Sequence, residues 1–203
     1  MADIELLARD IKACRICRDN PSGTPLPHEP NPVAVLSATA RIAICGQAPG
    51  TRVHQSGKPF TDPSGDRLRE WMGVTSEQFY DSAKFAIVPM GFCFPGLDAK
   101  GGDLPPRNEC AEQWHSAIFA AMPQIELLIL VGQYAQKWHL GTDRKNNLTE
   151  TVAHWRDYVL AGDMPVKFPL PHPSWRNNSW IRKNPWFSSA LLPELQKRIQ
   201  QMI

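Results

Sequence analysis

Apolar residues fall into two patterns along the chain. Short unbroken runs occur at Arg41–Gly46 (Ile42, Ala43, Ile44 and Cys45 ahead of the glycine), Phe85–Met90, Glu126–Gly132 (Leu127 to Val131) and Val166–Leu170. Runs of this length read as strands covered on both faces. Between them, apolar positions recur at helical spacing. Ile4, Leu7 and Ile11 predict a helix within 3–14, and Leu68, Trp71 and Met72 one over 64–73, with Ser64 as its cap. Further helices are predicted over 107–122, 133–139 and 148–160, and from Asn184 onward with Pro185 in the first turn. Residues 18–38, rich in proline and polar groups, read as an extended arm. Strands alternating with helices predict an α/β fold with a parallel sheet between two helical layers, and 203 residues fit a single domain, 1–203. Ligands of such sheets bind beyond the carboxyl ends of the strands. The loops of interest therefore follow Cys45, Met90, Val131 and Leu170.

Composition adds bounds. Hydrophobic residues make up 42% of the chain, enough for a sizeable core and against global disorder. The net charge is +2, but from Lys137 to Ile203 there are ten Lys and Arg against five Asp and Glu. A basic C-terminal third suits a polyanionic partner and equally suits an ordinary solvated surface. No run of ~18 apolar residues is present, which excludes a membrane-spanning helix. The first residues carry acids and lack a basic segment followed by an apolar core, so a cytoplasmic location is expected. Five cysteines in a reducing compartment point to metal ligands or buried apolar residues rather than disulfides.

The loops carry the unusual residues. Gly46-Gln47-Ala48-Pro49-Gly50 follows the first strand, and Gly57-Lys58-Pro59-Phe60 comes shortly after. Glycines there let backbone approach a ligand closely. Phe60 reads either as core packing or as a ring that stacks on a planar base. After the fourth strand comes Pro171-His172-Pro173-Ser174-Trp175-Arg176-Asn177. A histidine between two prolines is either an incidental turn residue or a group held stiffly toward a reacting centre. Cys14-x-x-Cys17 has metal-knuckle spacing, with Cys93 and Cys110 further on; Cys45 sits inside an apolar run and reads as core. The four remaining cysteines suit a four-thiolate iron–sulfur cluster, a four-thiolate zinc, or unrelated burial.

Gly46–Gly50, Gly57-Lys58-Pro59-Phe60 and His172-Pro173-Ser174, in this order and spacing, resemble the signature motifs of the uracil-DNA glycosylase superfamily, and the four cysteines resemble its iron–sulfur branch, family 4. The resemblance spans about Cys14 to Pro185. It implies a three-layer α/β/α sandwich with a central four-stranded parallel sheet. It also implies a chemistry: a uracil or related deaminated base is flipped from DNA, single-stranded or duplex, and its N-glycosidic bond is hydrolysed. In that reading Phe60 stacks on the base and His172 acts near O2 of the leaving base. Gly46, Ala48, Pro49, Gly50, Ser174 and Asn177 contact substrate. Trp175 and Arg176 enter the duplex, and Lys58, Arg182 and Lys183 meet phosphates. The same resemblance implies a [4Fe–4S] cluster, with zinc as the alternative, on Cys14, Cys17, Cys93 and Cys110, and a monomer as the working form.

Two positions depart from the family pattern. Family 4 has glutamate where this chain has Gln47, and another branch has aspartate where it has Ala48. A neutral amide cannot serve as a general base, though it can orient a water or bind a base edge. The family also has an asparagine four residues before the third cysteine; here that residue is Pro89. The segment Pro89–Cys93 is then expected to offer backbone groups in its place. Asp62 is the candidate compensating carboxylate, with turn or cap duty as the other reading; Asp66 and His54 are further candidates near Phe60. The competing functional readings are a base-binding protein of the same fold without turnover, and an enzyme acting on free nucleosides.

Overall fold

The computed structural model describes residues 3–203. In chain order it contains α1 (Ile4–Lys12), α2 (Ile16–Asp19), β1 (Ile42–Cys45), α3 (Thr51–Ser56), α4 (Pro63–Met72), α5 (Ser76–Tyr80), β2 (Phe85–Ile87), α6 (Asn108–Ala121), β3 (Leu127–Val131), α7 (Gln133–Leu140), α8 (Leu148–Ala153), α9 (Trp155–Leu160), β4 (Val166–Leu170), α10 (Asn178–Lys183) and α11 (Leu192–Gln200). The four apolar runs form one sheet of order β2-β1-β3-β4, and every neighbouring pair is parallel. Alternate residues of β1, β2 and β3 enter two separate cores, and β4 contributes to the second alone. Ala43, Cys45, Ala86, Val88, Leu128 and Leu130 pack on one side against residues of α1, α6 and α7. Ile42, Ile44, Ile87, Ile129, Phe168 and Leu170 pack on the other against α4, α9 and α11. This is the three-layer α/β/α sandwich with a four-stranded parallel sheet. Cys45 is fully buried in it, and burial raises its thiol pKa.

The chain leaves β1 toward β2 and leaves β3 toward β4, in opposite directions. The carboxyl ends of β1 and β3 therefore flank the switch point where open α/β sheets form a crevice. Both outer edges are modified. On β2, Val35 and Ile87 exchange backbone hydrogen bonds of 2.8 Å each. On β4, the Leu170 carbonyl faces β3, accepting from Gly132 at 2.9 Å, so adjacent Pro169 presents its missing N–H to the outside.

Three helix expectations need correction. The helix containing Leu68 begins at Pro63 and not at Ser64: Asp62 occupies the cap position, and the Ser64 hydroxyl donates to its carboxylate at 2.8 Å. The span 148–160 is two helices. His154 ends the first, its backbone N–H returning to Glu150 and Val152 and its Nδ1 donating to the Glu150 carbonyl at 2.8 Å. The C-terminal helix does not run on from Asn184. That residue ends α10, and a wide π-turn over Phe187–Leu191 precedes α11. Pro193, in the first turn of α11, has no N–H to return to the preceding turn, so the helix widens there. Among the described residues, no helix is long and apolar enough to cross a membrane.

Candidate functional site

A cavity of about 760 Å³ opens at the switch point, within the size range of small-molecule sites. Its walls come from all four strand ends: Gly46 to Gly50 after β1, Pro89 after β2, Val131 at the end of β3, and His172 to Asn177 after β4. Phe60 and Asp62, between α3 and α4, complete it. The sheet topology thus gathers the motif residues that are distant in sequence.

Phe60 has φ +54°, the only positive value among the described non-glycine residues. An aromatic side chain rarely adopts the left-handed region, and such strain persists where surroundings over-determine it. Here the Phe60 carbonyl accepts hydrogen bonds from Tyr80 Oη at 3.0 Å and Arg69 Nη1 at 3.3 Å, and Gly65 packs directly beneath it. The ring meets Phe79 edge-on at 5.7 Å, and its tip comes within 3.5 Å of where a Cβ on Gly46 would lie. Phe60 thus packs one edge on the core and also lines the cavity.

The loop that carries His172 is held at two points: Asn177 Nδ2 donates to the His172 carbonyl at 2.6 Å, and Arg67 Nη1 donates to the carbonyl of Ser174 at 3.0 Å. Burial lowers the imidazole pKa, while the charges of Asp62 and Asp103 raise it in opposition. The net direction is down, which favours the neutral ring at neutral pH. Asp62 caps no backbone N–H of α4 with its side chain; the carboxylate holds the Ser64 hydroxyl and lines the cavity. Asp66 instead pairs with Arg69 at 2.7 Å on an exposed face.

Other expected residues divide. Gly46, Gln47, Ala48, Pro49, Gly50, Ser174, Trp175, Arg176 and Asn177 all line the cavity. The Asn177 amide is engaged within its own loop, and Trp175 is 72% exposed at the mouth. His54 is drawn away from the cavity, its ring 4.4 Å from that of His28. Lys58 lies over the Tyr80 ring at 3.7 Å, and Arg182 and Lys183 are exposed on α10. In the segment after β2, three backbone N–H groups and the Pro89 carbonyl are engaged within the protein. The N–H groups of Met90 and Gly91 bond to Gly46 and Gln47, that of Phe92 to Cys110 Sγ at 3.3 Å, and the Pro89 carbonyl accepts from buried His115 Nε2 at 3.0 Å. Arg67 and Asp103 belong to the site and carried no sequence pattern that marked them.

The N-terminal arm brings the cysteines together beside this segment. Cys17, Cys93 and Cys110 are buried in one core cluster with Cys14 at its margin. Burial is the main cause that pushes the Cys17 thiol up to about 11 and Cys93 to about 12, and each feels the charge of Cys14. Cys110 is raised too, with Cys14, Cys17 and Cys93 all contributing after burial. Two of the sulfurs receive N–H donors: Trp114 Nε1 reaches Cys14 at 3.4 Å and Phe92 N reaches Cys110 at 3.3 Å. Among the described residues, no three His, Cys, Asp or Glu side chains are grouped to hold a metal ion.

Fold and cavity together define an α/β protein with a ligand-sized crevice at its switch point. The Uracil DNA glycosylase superfamily model matches residues 33–196, and the chain belongs to that superfamily. Among solved structures, wild-type SMUG2 of Pedobacter heparinus superposes with a TM-score of 0.36 at 16% identity, over 80% of this chain and 74% of that one.

Proposed function

We propose that the protein is a DNA glycosylase that takes a flipped, deaminated base, uracil or a related one, into the cavity and hydrolyses its N-glycosidic bond. One observation carries the reading: Phe60, held at positive φ, and His172, on a loop tied by Asn177, line one cavity at the switch point. Phe60 stacks on the base. The neutral imidazole donates a hydrogen bond near the base oxygen where negative charge develops as the C1′–N1 bond breaks. Asp62, which lines the same cavity, stabilises positive charge developing on the sugar. Backbone of Gly46 to Gly50 contacts base or phosphate, and Trp175 and Arg176 fill the space the base leaves. Arg182 and Lys183 extend a basic surface toward the DNA backbone.

The four cysteines fit the iron–sulfur branch. Their burial around one core cluster and the N–H donors aimed at two of the sulfurs, Cys14 and Cys110, support a [4Fe–4S] cluster, in which hydrogen bonds to sulfur are a usual feature. A cluster held by these four residues would tie the N-terminal segment of Cys14 and Cys17 to α6 and the Phe92 loop. Protein purified without oxygen is expected to be brown with about four irons per chain; a colourless protein with one zinc per chain overturns the assignment.

The test of activity is an alkali-cleavage assay on single-stranded oligonucleotides containing uracil, hypoxanthine or xanthine, with wild type beside His172→Ala. Strand cleavage by wild type and its loss in the variant is the expected result. Intact DNA from folded, metal-loaded wild type overturns the glycosylase reading. A binder without turnover then takes its place, a reading favoured by the engagement of Gln47 and Pro89 with protein groups.

A further inference from the structure

Gln47 stands where the family carries an acid, and its amide has a structural partner: Nε2 donates to the Leu104 carbonyl at 3.3 Å. Leu104 closes a compact loop. Its N–H returns to Gly96 at 2.9 Å, Asp98 N donates to Gly102 at 2.8 Å, and Leu97 and Asp103 form an antiparallel bridge. The Asp98 carboxylate accepts from the N–H groups of Lys100 and Gly102, stiffening the turn. The loop delivers Asp103 into the cavity wall. The Asp103 carboxylate lies 3.5 Å from where a Cβ on Gly50 would be, directly over the turn that follows β1. The charged groups acting on it are His172 and Arg176 from the loop after β4, and Asp62 from the start of α4.

We propose that Asp103 is the water-handling carboxylate of this protein, supplied by loop 96–104 in place of the acid absent at position 47, and that Gln47 is the positioning residue tethering that loop. This rests on the glycosylase reading above. Partial burial raises the Asp103 carboxyl above its ordinary range, and Asp62 adds to the shift. That is the direction a base working near neutral pH requires. Once the C1′–N1 bond has broken with its electron pair on the base, a water oxygen bonds to C1′ and one water proton passes to Asp103. The C1′ hydroxyl remains on the sugar, the base leaves as its anion, and Asp103 returns its proton to that anion or to solvent.

The experiment is single-turnover base release from a uracil-containing single strand across the acid-to-neutral range. Wild type, Asp103→Asn, Asp103→Glu and Gln47→Ala are compared, with fluorescence anisotropy giving the Kd of each. Asp103→Asn is expected to lose about 10²- to 10⁴-fold in rate, as removal of a general base does. It should keep its Kd and lose the fall in rate on the acid side. Asp103→Glu recovers part of the rate. Gln47→Ala slows release but keeps the acid-side fall, moved toward ordinary carboxylate values. If Asp103→Asn keeps the wild-type rate and pH profile, or loses affinity as steeply as rate, the proposal is overturned and the glycosylase reading stands. If wild type releases no base, that reading falls and this proposal with it.

Discussion

Gly65 and Phe60 are in direct steric register: a Cβ on Gly65 would sit 1.9 Å from the Phe60 carbonyl oxygen. The left-handed backbone of Phe60 and the bare Cα of Gly65 therefore exist together or not at all. Gly65→Ala is expected to push the Phe60 peptide out of position, to destabilise the fold by about 1–3 kcal/mol, and to weaken base binding. Thermal melting and oligonucleotide affinity check this. Unchanged affinity in a folded Gly65→Ala protein would show that the Phe60 conformation is irrelevant to binding.

Phe60→Leu separates stacking from packing. Leucine keeps contact with Phe79 but offers no flat face. Stacking on an aromatic ring contributes about 1–3 kcal/mol per base, so affinity for uracil-containing DNA should fall about tenfold or more. A free abasic-site strand, which has no base to stack, should bind as before. Equal losses on both ligands would place Phe60 outside the base pocket.

His139 should make stability depend on acid pH. Burial, followed by the charges of His115 and Lys167, lowers its pKa to about 3. Its Nε2 and the Nδ1 of His115 are buried without partners, the rings 5.6 Å apart. In the unfolded chain a histidine titrates near 6.5, so between that value and about 3 the unfolded state binds the proton and the native state does not. Stability is complete above about 6.5 and falls as pH drops, by up to about 1.4 kcal/mol per unit for this group. His115, His54 and His172 shift in the same direction. His139→Phe should flatten the dependence of melting temperature on acid pH; an unaltered slope removes His139 as its source.

Cys17 and Cys45 are both buried but should behave oppositely. Cys17→Ser is expected to lose most of the bound iron and to melt at lower temperature. Cys45→Ala should keep its iron and lose only about 1 kcal/mol, the usual effect of a modest core change. Iron analysis on protein prepared without oxygen distinguishes them. Full iron in Cys17→Ser excludes that residue as a ligand.

Trp175 should matter to DNA and not to folding. It is 72% exposed, with only Arg176 stacked near it at 5.7 Å. Trp175→Ala should change stability by no more than about 0.5 kcal/mol and reduce activity on duplex substrate more than on single strands. Equal reductions on both would argue against a wedge.

The strands were readable because a parallel strand buried on both faces must be apolar throughout, as Leu127 to Val131 is. Phe60 and His172 were each open on their own loops between packing or turn and chemistry; the resemblance of their motifs singled them out, and the fold brings both to one cavity. Short helices such as α3 were not: Thr51–Ser56 has one buried apolar residue, Val53, and no periodicity to detect. Arg67 was hidden by the helical pattern around it. Asp103 follows Gly101-Gly102 in a polar stretch, and only the folded loop shows that it lines the cavity. The break at His154 likewise depends on a side-chain bond to Glu150 that no periodicity records.

The treatment of the two sheet edges has a consequence for crowded solutions. An open four-stranded sheet ordinarily offers two templates on which another chain can add a strand, the first step toward aggregation. Here Val35 already occupies the hydrogen-bonding positions of Ile87 on one side, and Pro169 interrupts the row of donors on the other. The sheet is closed to lengthening by its own sequence, so partially opened molecules at high concentration meet surfaces that cannot propagate a shared ladder.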